Sequence, residues 1–90
     1  MIRTIKEYPI RTEPSTYQSV YLPTGAQVVG IRKTTVGVNL IVLSGLVDGK
    51  ELRSFQTVPS ASNIFAEKVS YIGTCLDNIL GTIHIIEIKS

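Results

Sequence analysis

"VNLIVLSGLVDGKELRSFQTV" (38–58) holds two strand-like runs around an Asp-Gly pair, and the relation between those runs decides the fold. In 38–47 the even positions are Val38, Leu40, Val42, Ser44 and Leu46, and the odd ones are Asn39, Ile41, Leu43, Gly45 and Val47. Both faces are largely apolar, whereas a strand solvated on one side alternates apolar and polar residues. Within the stretch, "VDGK" (47–50) is the strongest local signal. Asp and Gly tolerate positive φ, so the pair predicts a type I′ hairpin turn with "ELRSFQTV" (51–58) as the return strand.

On either side the apolar periodicity stays short and strand-like. "TIKEYPIR" (4–11) carries Ile5, Tyr8 and Ile10, and Pro9 marks it as an edge strand or a bulged one, because proline lacks the ladder donor. "TEPST" (12–16) is turn chemistry, "YQSVYL" (17–22) a strand, "PTG" (23–25) a tight turn and "AQVVGIRK" (26–33) a further strand. Beyond Val58, "IFAEKV" (64–69) is expected to form a helical turn capped by Ser62 or Asn63. "SYIGTCL" (70–76) and "GTIHIIEIKS" (81–90) form a hairpin around "DNIL" (77–80), with Ile83 and Ile85 facing one way and Ile86 and Ile88 the other. The expectation is an all-β, single domain over 1–90: a small antiparallel sandwich or barrel-like sheet with at most one short helical turn. Ninety residues do not readily cover both faces of a sheet, so a homo-oligomer is expected, with a closed barrel or sandwich of apolar exterior as the alternative.

Composition narrows the function classes. A net charge of +2 with scattered basic residues gives no footprint for a DNA or RNA polymer. The single cysteine, Cys75, cannot form an intrachain disulfide and fits a reducing compartment. No apolar span approaches 18 residues, so no membrane helix is expected, and the opening "MIRTIKEYPI" lacks a signal-peptide apolar region; the cytoplasm is the expected location.

Catalytic constellations are sparse. One His and one Cys do not make a tetrahedral metal site. The carboxylates are dispersed, and no phosphate-binding Walker sequence, dinucleotide fingerprint or nucleophile elbow is present. His84 lies mid-strand in an apolar run and reads as structural, as does Cys75. A non-enzymatic protein without cofactor or metal is expected. Binding chemistry is better represented. The loops "VPSASN" (58–63), "RKTTVG" (32–37) and "TGA" (24–26) offer backbone donors and hydroxyls, Arg32, Lys33 and Arg53 suit phosphates, and Tyr8, Tyr17, Tyr21 and Tyr71 suit base stacking.

The order of landmarks adds a resemblance. Lys6, Tyr8 and Ile10 open the chain, "YLPTGAQVVGI" (21–31) stands in the place of an "LPxGA" segment, and "LVDG" (46–49), "RSFQTV" (53–58) and "YIGT" (71–74) follow before a closing strand that contains His84. Together these resemble a family of small β-proteins of bacteriophages and prophages, over most of the chain. Two departures stand out: the central-strand tryptophan of that pattern is absent, and the loop that usually reads "GTGHP" is here "PSASN". Such proteins are similar to viral sponges that sequester cyclic nucleotide signals and so evade host antiphage (CBASS) defence. The resemblance implies a cyclic oligonucleotide ligand held without catalysis at subunit interfaces in the host cytoplasm. Phosphates would meet Arg32, Lys33 or Arg53 and the loop donors of Ser60, Ser62 and Asn63. Tyr8 or Tyr71 would stack a base, with Thr74 of "YIGT" beside it. The alternative is a phage structural, assembly or protein-interaction module with no nucleotide ligand.

Overall fold

The computed structural model describes residues 2–13, 17–77 and 81–89, with Asp77 described by its backbone alone. Seven strands follow one another: β1 (Arg3–Ile10), β2 (Tyr17–Pro23), β3 (Gln27–Lys33), β4 (Val38–Gly45), β5 (Lys50–Pro59), β6 (Lys68–Asp77) and β7 (Gly81–Lys89). They build two antiparallel sheets, a three-stranded sheet A in the order β1-β4-β3 and a four-stranded sheet B in the order β2-β5-β7-β6. The all-β expectation holds.

The core lies between the sheets. Val38, Leu40 and Val42 of β4 and Ile10 of β1 face Leu22 of β2, Phe55 of β5 and Ile85 of β7, with Ala26 closing one end. Tyr8, Val20, Val28, Ile31, Ile72 and Cys75 pack around that cluster. The even face of β4 is therefore the buried one, and its odd face, Asn39, Ile41 and Leu43, is half-buried. This explains the doubly apolar pattern of the strand: β1 and β3 flank it on both sides, and their side chains shelter its outer face. The sheets lean together where β3 lies against β6. Gly73 permits that approach, since a Cβ there would stand 2.9 Å from Ile31 Cγ1.

The Asp-Gly hairpin is not formed. β4 and β5 belong to different sheets, and neither Asp48 nor Gly49 has the positive φ that a type I′ turn requires. Residues 46–49 instead carry the chain from sheet A to sheet B and pack on the preceding turn, where the Thr24 amide donates to the Gly49 carbonyl at 3.1 Å. The "PTG" turn is present, with the Ala26 amide donating to the Pro23 carbonyl at 3.0 Å and Gly25 at φ 75°, but it too switches sheets. Local turn chemistry sets the reversal of the chain; it does not choose the partner strand. Leu52, Arg53 and their neighbours pair with β2 rather than β4 because sheet B buries Phe55 against Leu22 and Ile85.

The helical turn over 64–69 is likewise absent: residues 62–66 have no regular structure and Lys68 and Val69 already belong to β6. With Ile64 and Phe65 exposed, no packed face supports so short a helix, and helix nucleation is costly without one. The hairpin joining β6 and β7 is present, and β1 is an edge strand as Pro9 indicated. Residues 14–16 of the "TEPST" turn and residues 78–80 of "DNIL" lie outside the described residues.

Candidate functional site

Alternation divides sheet B into two faces. The inner side chains of β5 and β7 are Phe55, Thr57, Ile83, Ile85 and Glu87, all buried, with Arg53 on the same side. Register then fixes the outer face in rows. One row runs Tyr17, Gln56, Ile86, Tyr71; the next toward the β5–β6 loop runs Val58, His84, Thr74. In the opposite direction come Ser19, Ser54, Ile88, Val69, and then Tyr21 with Leu52. Ser19 and Ser54 share a hydroxyl contact at 3.2 Å. Among the described residues this outer face carries a charged side chain only at its end, at Lys50 of β5.

At one end of this face four polar side chains join. His84 Nε2 lies 2.9 Å from Ser60 Oγ, and His84 Nδ1 lies 2.8 Å from Tyr71 Oη. The Tyr71 hydroxyl also meets Thr74 Oγ1. The Tyr71 and His84 rings are tilted at 53° with centroids 5.7 Å apart, and Tyr71 remains 61% exposed. Three segments build the cluster: β7 supplies the imidazole, β6 the phenol and threonine, and the turn after β5 the serine. That turn is set by the Ser62 amide donating to the Pro59 carbonyl at 3.2 Å, with Ala61 in the left-handed region at φ 67°. The Ser60 amide donates to the Thr82 carbonyl at 3.3 Å, which ties the turn to β7 and places the hydroxyl beside His84.

Across the row, Tyr17 and Tyr71 stand three interstrand spacings apart, roughly 14 Å between their backbones. Both are exposed, while Gln56 and Ile86 between them are sheltered. The Gln56 Oε1 is buried and has no hydrogen-bond partner among the described residues. The result is a sheet face with an exposed tyrosine at each edge, a covered middle, hydroxyls and an imidazole at one end, and almost no formal charge among the described residues. Such a surface can stack a planar ring and hydrogen-bond its edges.

The sequence-derived candidates are thus divided. Ser60, Tyr71 and Thr74 come together, and the residue that joins them is His84. Ser62 and Asn63 lie exposed on the adjoining loop. Tyr8 points into the sandwich and packs on the core. Arg32 lies on the outer face of sheet A, where its Nε donates to Glu7 Oε1 at 2.8 Å, with Asn39 Nδ2 on the same oxygen at 3.2 Å. Lys33 Nζ donates to the Leu76 carbonyl at 3.2 Å, at the β6 rim of sheet B. Arg53 is engaged internally: its Nε and Nη2 donate to Glu87 at 2.5 and 2.8 Å, Nη1 donates to the Ala26 carbonyl, and both side chains are largely buried. The Glu87 hydrogen bonds hold the guanidinium above its ordinary pKa against the opposing effect of burial. This pair sits in the wall of an open cleft of ≈ 550 Å³ bounded also by Gly25, Glu51 and Lys89. A guanidinium already gripped by a carboxylate offers no free fork to a phosphate there.

His84, read from the sequence as structural, was missed as a site residue; parity was the signal for its face, since it alternates with Ile86 and Ile88 and not with the core residues Ile83 and Ile85. The signal for Arg53 was of the same kind, since Arg53 alternates in step with Phe55 and Thr57.

The Glu7 network carries a pH signature. The Arg32 hydrogen bond, then that of Asn39, holds the Glu7 carboxyl below its ordinary value of 4.5. A lowered folded-state pKa contributes stability above the unfolded value, and that contribution disappears as pH falls through the folded one. Acid unfolding followed by circular dichroism is expected to be less steep below about pH 4.5 in Glu7→Gln than in the parent.

Among the described residues no three His, Cys, Asp or Glu side chains gather as a metal site, and no helix is long and apolar enough to cross a membrane. Comparison of the chain with protein-family models, with curated proteins and with solved structures finds no match.

Proposed function

We propose that this chain is a non-enzymatic phage binding protein that sequesters a cyclic oligonucleotide signal on the outer face of sheet B, thereby blunting host antiphage defence. The observation that carries the reading is the Tyr71–His84–Ser60–Thr74 cluster at the end of a face edged by exposed tyrosines. Exposed Tyr71 and Tyr17 supply π-faces, and the hydroxyls and imidazole supply edge contacts. Lys33 at the β6 rim and Arg11, whose Nη2 reaches the Tyr17 carbonyl at 3.5 Å, supply cations at opposite edges of the face. Sequestration against a host receptor requires roughly nanomolar affinity, about −12 kcal/mol, and an open sheet face does not reach that alone. Association of copies that encloses this face is therefore part of the proposal.

The same face supports a second reading. Tyr21, Leu52, Val69 and Leu76 are exposed on it beside the tyrosines, and an uncharged apolar sheet face also suits a protein partner in virion assembly or host inhibition.

A thermal-shift panel of cyclic di- and trinucleotides separates the two. Saturation at 100 times Kd adds about 2.7 kcal/mol to the apparent stability. Tyr71→Ala is expected to weaken the responding nucleotide by about 1–3 kcal/mol, the usual worth of one stacked base. A panel with no shift favours the protein-interaction reading, and recovery of a chemically altered nucleotide overturns the non-enzymatic one.

A further inference from the structure

His84 is the one imidazole in the chain, and within the Tyr71–His84–Ser60–Thr74 cluster it is the side chain that can carry a positive charge. Around it, the turn after β5 presents Ser60, β5 presents Val58, β6 presents Tyr71 and Thr74, and β7 presents Thr82 and Ile86. None of these carries a charge, and Tyr71 is the only other titratable group among them. Glu87 and Arg53 lie on the opposite face of the sheet, and Lys33 is held at the β6 rim by the Leu76 carbonyl.

The hydrogen-bond chain responds to protonation in a defined way. Neutral imidazole donates at one nitrogen and accepts at the other, so it accepts a hydrogen bond from the hydroxyl of either Ser60 or Tyr71. Imidazolium donates at both. Nδ1–H then donates to Tyr71 Oη, whose own proton goes to Thr74 Oγ1, and Nε2–H donates to Ser60 Oγ. The Ser60 hydroxyl then keeps its own proton, which in the structure reaches the Thr82 carbonyl at 3.5 Å and, on an exposed turn, can swing from that long contact to a ligand beside the new positive charge.

We infer that His84 is the anion-recognising group of this face: as imidazolium, through its positive charge and through the Ser60 hydroxyl it orients, it holds a phosphate oxygen of the ligand. The inference rests on the binding function proposed above and deepens it, because it names the group that reads the ligand's charge and the condition under which it does so. Affinity for a phosphate-bearing ligand is then greater with His84 protonated than with it neutral. A charge-assisted hydrogen bond in place of a neutral one corresponds to about a tenfold tightening.

A single histidine makes the test direct, since its Cε1–H proton resonance reports His84 alone. The probe is inorganic pyrophosphate, followed by the cyclic nucleotide panel. Saturating pyrophosphate is expected to raise the pH midpoint of the His84 resonance, and its Kd is expected to be about tenfold lower at pH 5.5 than at pH 8. His84→Gln, which retains a side-chain hydrogen-bonding group on the same strand, is expected to lose the low-pH gain and keep only the pH response of pyrophosphate's own ionisation, and Ser60→Ala to lose most of the gain. A midpoint that pyrophosphate does not move overturns the inference. Nucleotides that bind without moving it also overturn the inference while leaving the proposed function in place. A midpoint moved by pyrophosphate while every nucleotide fails to bind upholds His84 as the anion group and overturns the nucleotide reading.

Discussion

Glu87→Ala is expected to destabilise the protein by about 3 kcal/mol in urea unfolding, although it deletes a side chain at the wall of an open cleft. Buried ion pairs lose about 3–5 kcal/mol when one partner is removed, because the remaining charge is left without compensation. Glu87 is 7% and Arg53 15% exposed, and the guanidinium keeps its Ala26 carbonyl and a 3.8 Å approach to Glu51 after the substitution. Those residual contacts, together with water from the cleft, place the expectation at the lower end of that range. The double variant Arg53→Met/Glu87→Leu is the informative companion. Replacing both partners by apolar groups of similar size is often neutral, so the double variant is expected within about 1 kcal/mol of the parent. A single substitution costing under about 1 kcal/mol would show that water screens the pair, and its burial would then carry no energetic weight.

Phe55→Ala is expected to cost more, about 3–5 kcal/mol, from lost transfer energy and the cavity left behind. Phe55 has no exposed surface and sits where β5 meets Leu22, Leu40 and Ile85, between the two sheets. Domains of this size are stable by only about 5–15 kcal/mol in total, so much of the margin goes with one ring. Thermal unfolding should shift down by more than about 12 °C, at about 4–8 °C per kcal/mol for a domain of 60–100 residues. Phe55→Leu, which keeps most of the volume, should recover more than half of the loss. Equal losses in both variants would mean that the aromatic shape, not the filled volume, is what the core requires.

These residues also mark how far the sequence could be read. Strand identity was legible throughout because it depends on local alternation and on Gly and Pro punctuation: all seven strands fall on stretches with those marks. Sheet membership was not, because it depends on pairing across long sequence separations. The Asp48–Gly49 pair has hairpin chemistry, and only the demand of Phe55 for Leu22 and Ile85 sends the following strand to the other sheet. The doubly apolar β4 pointed to a partner copy, yet its place in the centre of sheet A already accounts for the half-burial of Ile41 and Leu43. Site residues divided for a related reason. Tyr71 and Thr74 lie on β6, whose pairing with β7 was legible, whereas Ser60 follows β5, whose place beside β7 was not. The engagement of Arg53 by Glu87 and the joining role of His84 depend on which strands lie side by side.

Strand order also imposes a schedule on synthesis. β1 pairs with β4, so sheet A can close once Gly45 has left the ribosome. Sheet B cannot, because β7 is the plank laid between β5 and β6, and neither of those two touches the other without it. Until residues 81–89 arrive, β5 has only β2 for company, Phe55 has no Ile85, and the turn bearing Ser60 has no imidazole to meet. The surface assigned to ligand binding is thus the part of the domain that a growing chain completes after all the rest, and a chain cut before Gly81 would keep much of its core-facing sequence but lose the imidazole and the strand that bring Ser60, Tyr71 and Thr74 together.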